Sequence, residues 1–216
     1  MPSRTKMLVN LALLSAISYV VMVFGRIPVV LFLKYEAKDV IIAIGGFIYG
    51  PLAALSMAVV VAFMEMVTVS DTGPIGFVMN LLASASFACT AAFIYKKKQT
   101  LSGAITGLIS GGVLATVVMM LWNYLLTPIF MGLARDEVVP LLLPAILPFN
   151  LLKMGLNCTL TILIYKPVVR ALRKANLIPP STGGPQGEKK HTGVLLVAAV
   201  LLATCILLVL ALQGVI

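Results

Sequence analysis

Long apolar runs separated by short polar stretches dominate the chain. Five of these runs are close to or above the roughly 20 residues that a helix needs to cross a bilayer, namely residues 7–25, 74–95, 101–126, 141–165 and 193–211. A further run, residues 40–69, contains Gly50-Pro51. Because proline suits the first turn of a helix and disrupts its interior, this run predicts two short helices at 38–49 and 51–69.

The pattern therefore predicts an all-α integral membrane protein, with a six-helix bundle and a seventh, C-terminal transmembrane helix. We expect residues 1–175 to form the membrane domain, 176–192 a basic Pro/Gly-rich linker, and 193–216 the additional helix. The polar segments 26–39 and 127–140 are expected to be loops. The first run is too long for the core of a signal peptide and is expected to stay as the first helix.

Composition agrees with a bilayer as the solvent of this chain. It is 61% hydrophobic and 11% charged, with a mean hydropathy of +1.10, whereas soluble chains are about 25% charged. The net charge of +9 would suggest nucleic acid in a soluble protein, but here the basic residues cluster at the ends of apolar runs. With the N-terminus in the cytoplasm, the cytoplasmic side holds most of them, as the positive-inside rule requires, and no nucleic-acid partner is expected.

Polar residues inside the apolar runs are the candidate functional groups. Asn150 and Lys153 lie in PFNLLKMGLN, where a spacing of three residues places both on one helix face. A lysine at membrane depth costs about 2.5–3.5 kcal/mol and usually marks function. Asn80 and Asn123 are expected at a similar depth, so a polar ligand held within the bundle is the favoured interpretation. The alternative is an ion pair between Lys153 and Glu65 that serves assembly alone, and the two can coexist.

Two further features concern the surroundings of this predicted pocket. The apolar segment 29–33 lies in the loop after the first helix and is expected to roof the pocket. Ala12 and Ala16 form a small-xxx-small pair, which favours close helix packing. Walker A, HExxH and GxSxG motifs are absent and the three cysteines form no CxxC pair, so neither an enzyme nor a metal site is expected.

Several motifs together resemble a known family. LKYEAKDV precedes the second helix, FIYGPLAAL spans the break at Gly50-Pro51, PIGFVMNLLASASF lies in the fourth helix, WNY in the fifth, and ILPFNLLKMGLN in the sixth. Over about residues 5–175 the chain resembles the RibU family, the riboflavin-specific substrate-binding (S) subunits of energy-coupling factor (ECF) transporters. The seventh helix departs from the six-helix core of that family.

The resemblance implies a bacterial cell-membrane protein with an outward-facing pocket that binds riboflavin or FMN as transported substrate, with no cofactor. The implied ligand-binding residues are Leu33, Asn123, Asn150 and Lys153, and we add Asn80 to them. Ala12 and Ala16 match the surface that docks on a transmembrane coupling subunit, which works with two ATPase subunits. The alternatives are an S subunit for another vitamin such as thiamine, and a non-transport membrane scaffold. Thiamine would call for a carboxylate and an aromatic cage around its cation.

Overall fold

The computed structural model describes residues 4–30, 33–132, 134–174 and 192–212, which are almost entirely helical. The helices are α1 (Arg4–Phe24), α2 (Lys38–Tyr49), α3 (Pro51–Thr68), α4 (Gly73–Lys98), α5 (Leu101–Met131), α6 (Arg135–Leu141), α7 (Leu147–Lys174) and α8 (Thr192–Leu212). A π-helical turn, Leu142–Ile146, connects α6 to α7. Within these ranges, six helical segments are long and apolar enough to cross a membrane. The predicted all-α membrane fold is confirmed.

The break between α2 and α3 follows the prediction from Gly50-Pro51. Gly50 has a φ of +98°, a conformation that favours glycine, and Pro51 is the first residue of α3. The Gly50 N–H donates to the Gly46 carbonyl at 2.7 Å, and the Gly50 carbonyl accepts from the Ala53 N–H at 3.1 Å. One residue therefore ends α2 and begins α3, which leaves α2 with only 12 residues.

Two predicted boundaries are wrong. Residues 127–140 are not a loop, because α5 continues to Met131 and α6 begins at Arg135. The chain turns at Gly132, whose φ of +64° caps α5, whereas the polar WNY segment does not interrupt the helix. At the other boundary α7 continues through Pro167 to Lys174, with Val169 buried. Residues 175–191, which include most of the predicted linker, and residues 213–216 lie outside the described part of the chain.

The second half of α4 and the first half of α5 pack closely against each other. A Cβ atom built on Gly111 would lie 2.4 Å from the Phe87 carbonyl oxygen, and one on Gly107 would lie 2.7 Å from that of Ala91. Small residues let helix backbones approach in lipid, where van der Waals contact replaces the hydrophobic effect as the packing force. The two glycines therefore fix the distance between α4 and α5.

The predicted loop after α1 contains an antiparallel hairpin of β1 (Ile27–Val30) and β2 (Leu33–Tyr35). Its apolar side chains form a cluster with the start of α7 and with one face of α8. The cluster comprises Val29, Leu33, Tyr35, Ile146, Phe149, Leu152 and Leu156, with Leu202, Cys205 and Val209 packed against it. The hairpin is thus anchored on α7, while Leu31 and Phe32, part of the segment that was expected to roof the pocket, lie outside the described residues.

Candidate ligand-binding site

A cavity of about 360 Å³ lies beneath the hairpin, at the end of the bundle where α3 ends and α4 begins. We call this the cavity end. The volume falls in the range of roughly 300–1,000 Å³ that is usual for small-molecule sites. Its described wall is formed by Arg26, Leu33, Lys34, Glu36, Glu65, Ser70, Asp71, Thr72, Ile75, Gly76, Met79, Asn80, Ala83, Met119, Thr127, Phe149, Asn150 and Lys153. Most of the wall surface is apolar, although more than half of the residues that form it have polar or charged side chains.

Four of the five predicted ligand-binding residues line this cavity. Leu33 comes from β2, Asn80 from α4, and Asn150 and Lys153 from α7. Asn150 and Lys153 lie one helical turn apart, as their spacing predicts, and both are buried. The Asn150 amide donates to the Ile146 carbonyl at 2.8 Å, which leaves its side-chain oxygen as an acceptor. That these residues bind a ligand stays a prediction.

Asn123 does not belong to the cavity wall. Its amide donates to the Met119 carbonyl one turn earlier at 2.7 Å, and its side-chain oxygen accepts from the Thr127 hydroxyl at 3.0 Å. These bonds turn the side chain along its own helix. Met119 and Thr127 lie one turn before and after Asn123 on the same helix face and line the cavity, so Asn123 is held between two wall residues, and its contact with a ligand stays a prediction.

A network of buried charges joins the hairpin region to α2 and α3. Arg26 contacts Glu36 at 2.6 Å and Glu65 at 2.7 Å. Lys38 contacts Glu36 at 2.9 Å and also donates to Glu65. The Asn80 amide also donates to Glu65 Oε1 at 2.8 Å, the oxygen that Arg26 contacts. Because buried ions are costly without partners, the network fixes the hairpin region against the bundle.

Glu36 shows how these cations act on a carboxylate outside the membrane-spanning helices. Burial alone would raise its pKa, but Lys38, Lys153 and Arg26 together lower the pKa below its usual value. Because the pKa is lowered, ionised Glu36 stabilises the fold at pH values above the usual pKa of a glutamate. This contribution is lost as the pH falls through the lowered pKa. Glu36 therefore stays charged at neutral pH.

Lys153 pairs with a carboxylate that the sequence did not single out. Its Nζ lies 3.8 Å from Asp39 Oδ2, and both side chains are buried. Glu65, the partner considered from the sequence, is instead contacted by Arg26, Lys38 and Asn80. The Lys153–Glu65 pair, which the sequence left open as an alternative, is thus not the pair in this structure, because α2 places Asp39 next to Lys153.

Sequence reasoning missed Arg26, Glu36, Lys38 and Asp39 as parts of the site. The signal that was present is the mixed-sign stretch KYEAKD directly before an apolar helix. Residues of opposite sign at such a boundary can neutralise each other and be buried. Among the described residues, no group of three or more His, Cys, Asp or Glu side chains is placed to hold a metal ion.

Comparison with known proteins supports the predicted family. The family described as "ECF transporter, substrate-specific component" matches residues 6–165 of this chain. The chain belongs to this family. The matched segment ends within α7, so α8 of this S component lies beyond the family core. With its apolar helices, the S component is a multi-pass membrane protein.

This chain matches two named relatives over nearly their full lengths. The riboflavin transporter RibU of Staphylococcus aureus (strain TCH60) is 31% identical over 180 residues, which span 79% of this S component and 94% of the relative. The riboflavin transporter FmnP of Bacillus subtilis (strain 168) is 28% identical over 190 residues, 81% and 99% of the two chains. A solved structure, titled "Structure and mechanism of the S component of a bacterial ECF transporter", has a TM-score of 0.67 and 31% identity. It covers 79% of this chain and 99% of that one.

Proposed function

We propose that this S component captures riboflavin from outside a bacterial cell and delivers it through an ATP-driven coupling module. The observation that carries the proposal is the meeting of Leu33, Asn80, Asn150 and Lys153 from separate elements in one cavity. Relatives named as riboflavin transporters support the choice of ligand. The flavin ring suits the apolar wall, and the hydroxyl groups of the ribityl tail suit amides and an ammonium group.

Charge distribution supports a cavity that opens to the outside. The end of the bundle opposite the cavity carries the basic residues Arg4, Lys6, Lys96, Lys97, Lys98, Lys166, Arg170 and Lys174. At the cavity end, Arg26, Lys38 and Lys153 are paired with carboxylates. Since Lys and Arg accumulate on the cytoplasmic side, the N-terminus is cytoplasmic and α8 ends outside.

Among the other ligands considered, FMN fits better than thiamine. Lys153 can face a phosphate from the cavity wall. Thiamine needs carboxylates to attract its cation, but Glu36 and Glu65 are already engaged by Arg26 and Lys38. A non-transport scaffold would have no use for such a cavity.

The test is a fluorescence-quenching titration of the purified protein with riboflavin, FMN and thiamine. Riboflavin is expected to bind most tightly. Lys153→Ala and Asn150→Ala should each weaken its binding at least tenfold, or about 1.4 kcal/mol, because each removes a polar group from the wall. Asp136→Asn, an exposed change in α6, is the control and should leave binding unchanged. Unchanged affinity in both cavity variants would refute the assigned site.

Docking on the coupling subunit is assigned to α1. Ala12 and Ala16 lie one turn apart and are both exposed on the outer face of the bundle, where a close-packing partner helix can reach them. Replacing both with leucine should leave riboflavin binding intact but block uptake by cells that contain the coupling subunit and its two ATPase subunits. Normal uptake by this variant would place the docking surface elsewhere.

A further inference from the structure

We propose that Asp39 is a positioning residue for ligand binding, which holds the Lys153 ammonium group at the cavity wall. The inference rests on the proposed function, because it assumes that Lys153 meets the ribityl tail of riboflavin. Asp39 lies in the first turn of α2 and does not itself line the cavity. It would therefore act on the ligand through Lys153.

Two hydrogen bonds fix the Asp39 carboxylate in one orientation. The Ser84 hydroxyl of α4 donates to Oδ1, and the Asn157 amide of α7 donates to Oδ2 at 3.3 Å. The Asp39 side chain has no exposed surface. Asn157 is itself held by the Tyr35 hydroxyl of the hairpin, which donates to its side-chain oxygen at 3.2 Å. Three elements around α2 thus determine where this negative charge lies.

The distance between Asp39 and Lys153 suits a positioning role. At 3.8 Å the contact is an ion pair that is longer than a charge-assisted hydrogen bond of about 2.7–2.9 Å. Asp39 attracts the ammonium group without requiring one of its N–H groups in a short bond. The three N–H donors of Lys153 thus stay available to the hydroxyl groups of a ligand.

The neighbouring cations do not need Asp39 as their main partner. Lys38 contacts Glu36 and Glu65, and Arg26 contacts the same two carboxylates. Lys153 pairs with Asp39. Removing the Asp39 charge should therefore affect the position of Lys153 more than the network that fixes the hairpin region.

The experiment measures the affinities for riboflavin and for lumiflavin, which is the same ring system without the ribityl tail. The variants form a double-mutant cycle of Asp39→Asn and Lys153→Met. If Asp39 positions Lys153, each single variant should weaken riboflavin binding at least tenfold but lumiflavin binding less than threefold. The double variant should be no weaker than the worse single variant, because the two residues act as a unit. Asp39→Glu, which keeps the charge, should recover part of the riboflavin affinity.

The outcomes separate this inference from the proposed function. If Lys153→Met weakens the binding of both ligands equally, or of neither, Lys153 does not contact the ribityl tail. Both the site assignment and the role of Asp39 are then overturned. If Lys153→Met is selective for riboflavin but Asp39→Asn is not, or if their effects add, only the positioning role is overturned. A general loss of packing in Asp39→Asn would weaken the binding of both ligands alike, and this result would also overturn the positioning role.

Ser84→Ala provides a second route if Asp39→Asn does not fold. It removes one hydrogen bond to the carboxylate and keeps the charge. The expected result is a loss of about threefold in riboflavin affinity, with lumiflavin affinity unchanged. An equal change for both ligands in Ser84→Ala would contradict the inference.

Discussion

The contact between α4 and α5 and the cavity end of the bundle are held together by different means. Away from the cavity, α4 and α5 meet through Gly107, Gly111 and small neighbours, with backbone against side-chain-free backbone. At the cavity end, a hairpin and the short helix α2 are held by Arg26, Lys38 and their carboxylates. Small residues fix the distance between the two helix backbones and leave no room for a ligand between them. Charges at the cavity end leave space beside them, which a binding site requires.

The largest effect is expected where the charge network loses a member. Lys38→Met should lower stability by about 3–5 kcal/mol, because Glu36 and Glu65 would be left buried with Arg26 as their shared cation. Thermal unfolding in detergent measures this. Lys34→Met is the matched control: Lys34 pairs with the exposed Asp71, and such pairs contribute about 0–1 kcal/mol. Equal losses of stability in the two variants would show that the charge network does not stabilise the cavity end.

A smaller loss is expected at the contact of α4 with α5. Gly111→Ala would place a Cβ 2.4 Å from the Phe87 carbonyl oxygen, and the helices would have to separate, at a cost of about 1–3 kcal/mol. Gly155→Ala is the control, because its Cβ would meet Cys205 Sγ at an ordinary 3.6 Å. Riboflavin affinity of the Gly111 variant, measured at a temperature where it is folded, should stay near that of the parent. A melting temperature equal to that of Gly155→Ala would contradict the packing argument.

The smallest effect is expected at the hydrogen bond that joins the hairpin to α7. Tyr35→Phe removes the hydroxyl that donates to Asn157, a bond with a net contribution of about 0.5–1.5 kcal/mol. Riboflavin titration should show less than a tenfold loss. Tyr19→Phe removes an exposed bond to Thr68 and should leave affinity unchanged. If Tyr35→Phe also left the affinity unchanged, this hydrogen bond would not contribute to the position of the hairpin at the site.

Much of the fold was predictable because membrane helices are long apolar runs and because Gly50-Pro51 marks a break by local chemistry. The ends of α5 and α7 were not, since polar residues such as Asn123 can satisfy themselves along their own helix. At the site, the spacing of Asn150 and Lys153 was enough to place them together on α7. The partners of Lys153 were not predictable, because the choice between Glu65 and Asp39 depends on how far α2 extends into the bundle.

The 12 residues of α2 have a consequence for how deep the site lies. At 1.5 Å per residue the helix rises about 18 Å, well short of the roughly 30 Å of hydrocarbon in a bilayer. Because α3 starts at the same turn and has 18 residues, the start of α2 lies about 9 Å short of the far end of α3, so the cavity beside it extends below the headgroups into the hydrocarbon. A molecule that rests at the base of this cavity lies partway into the bilayer.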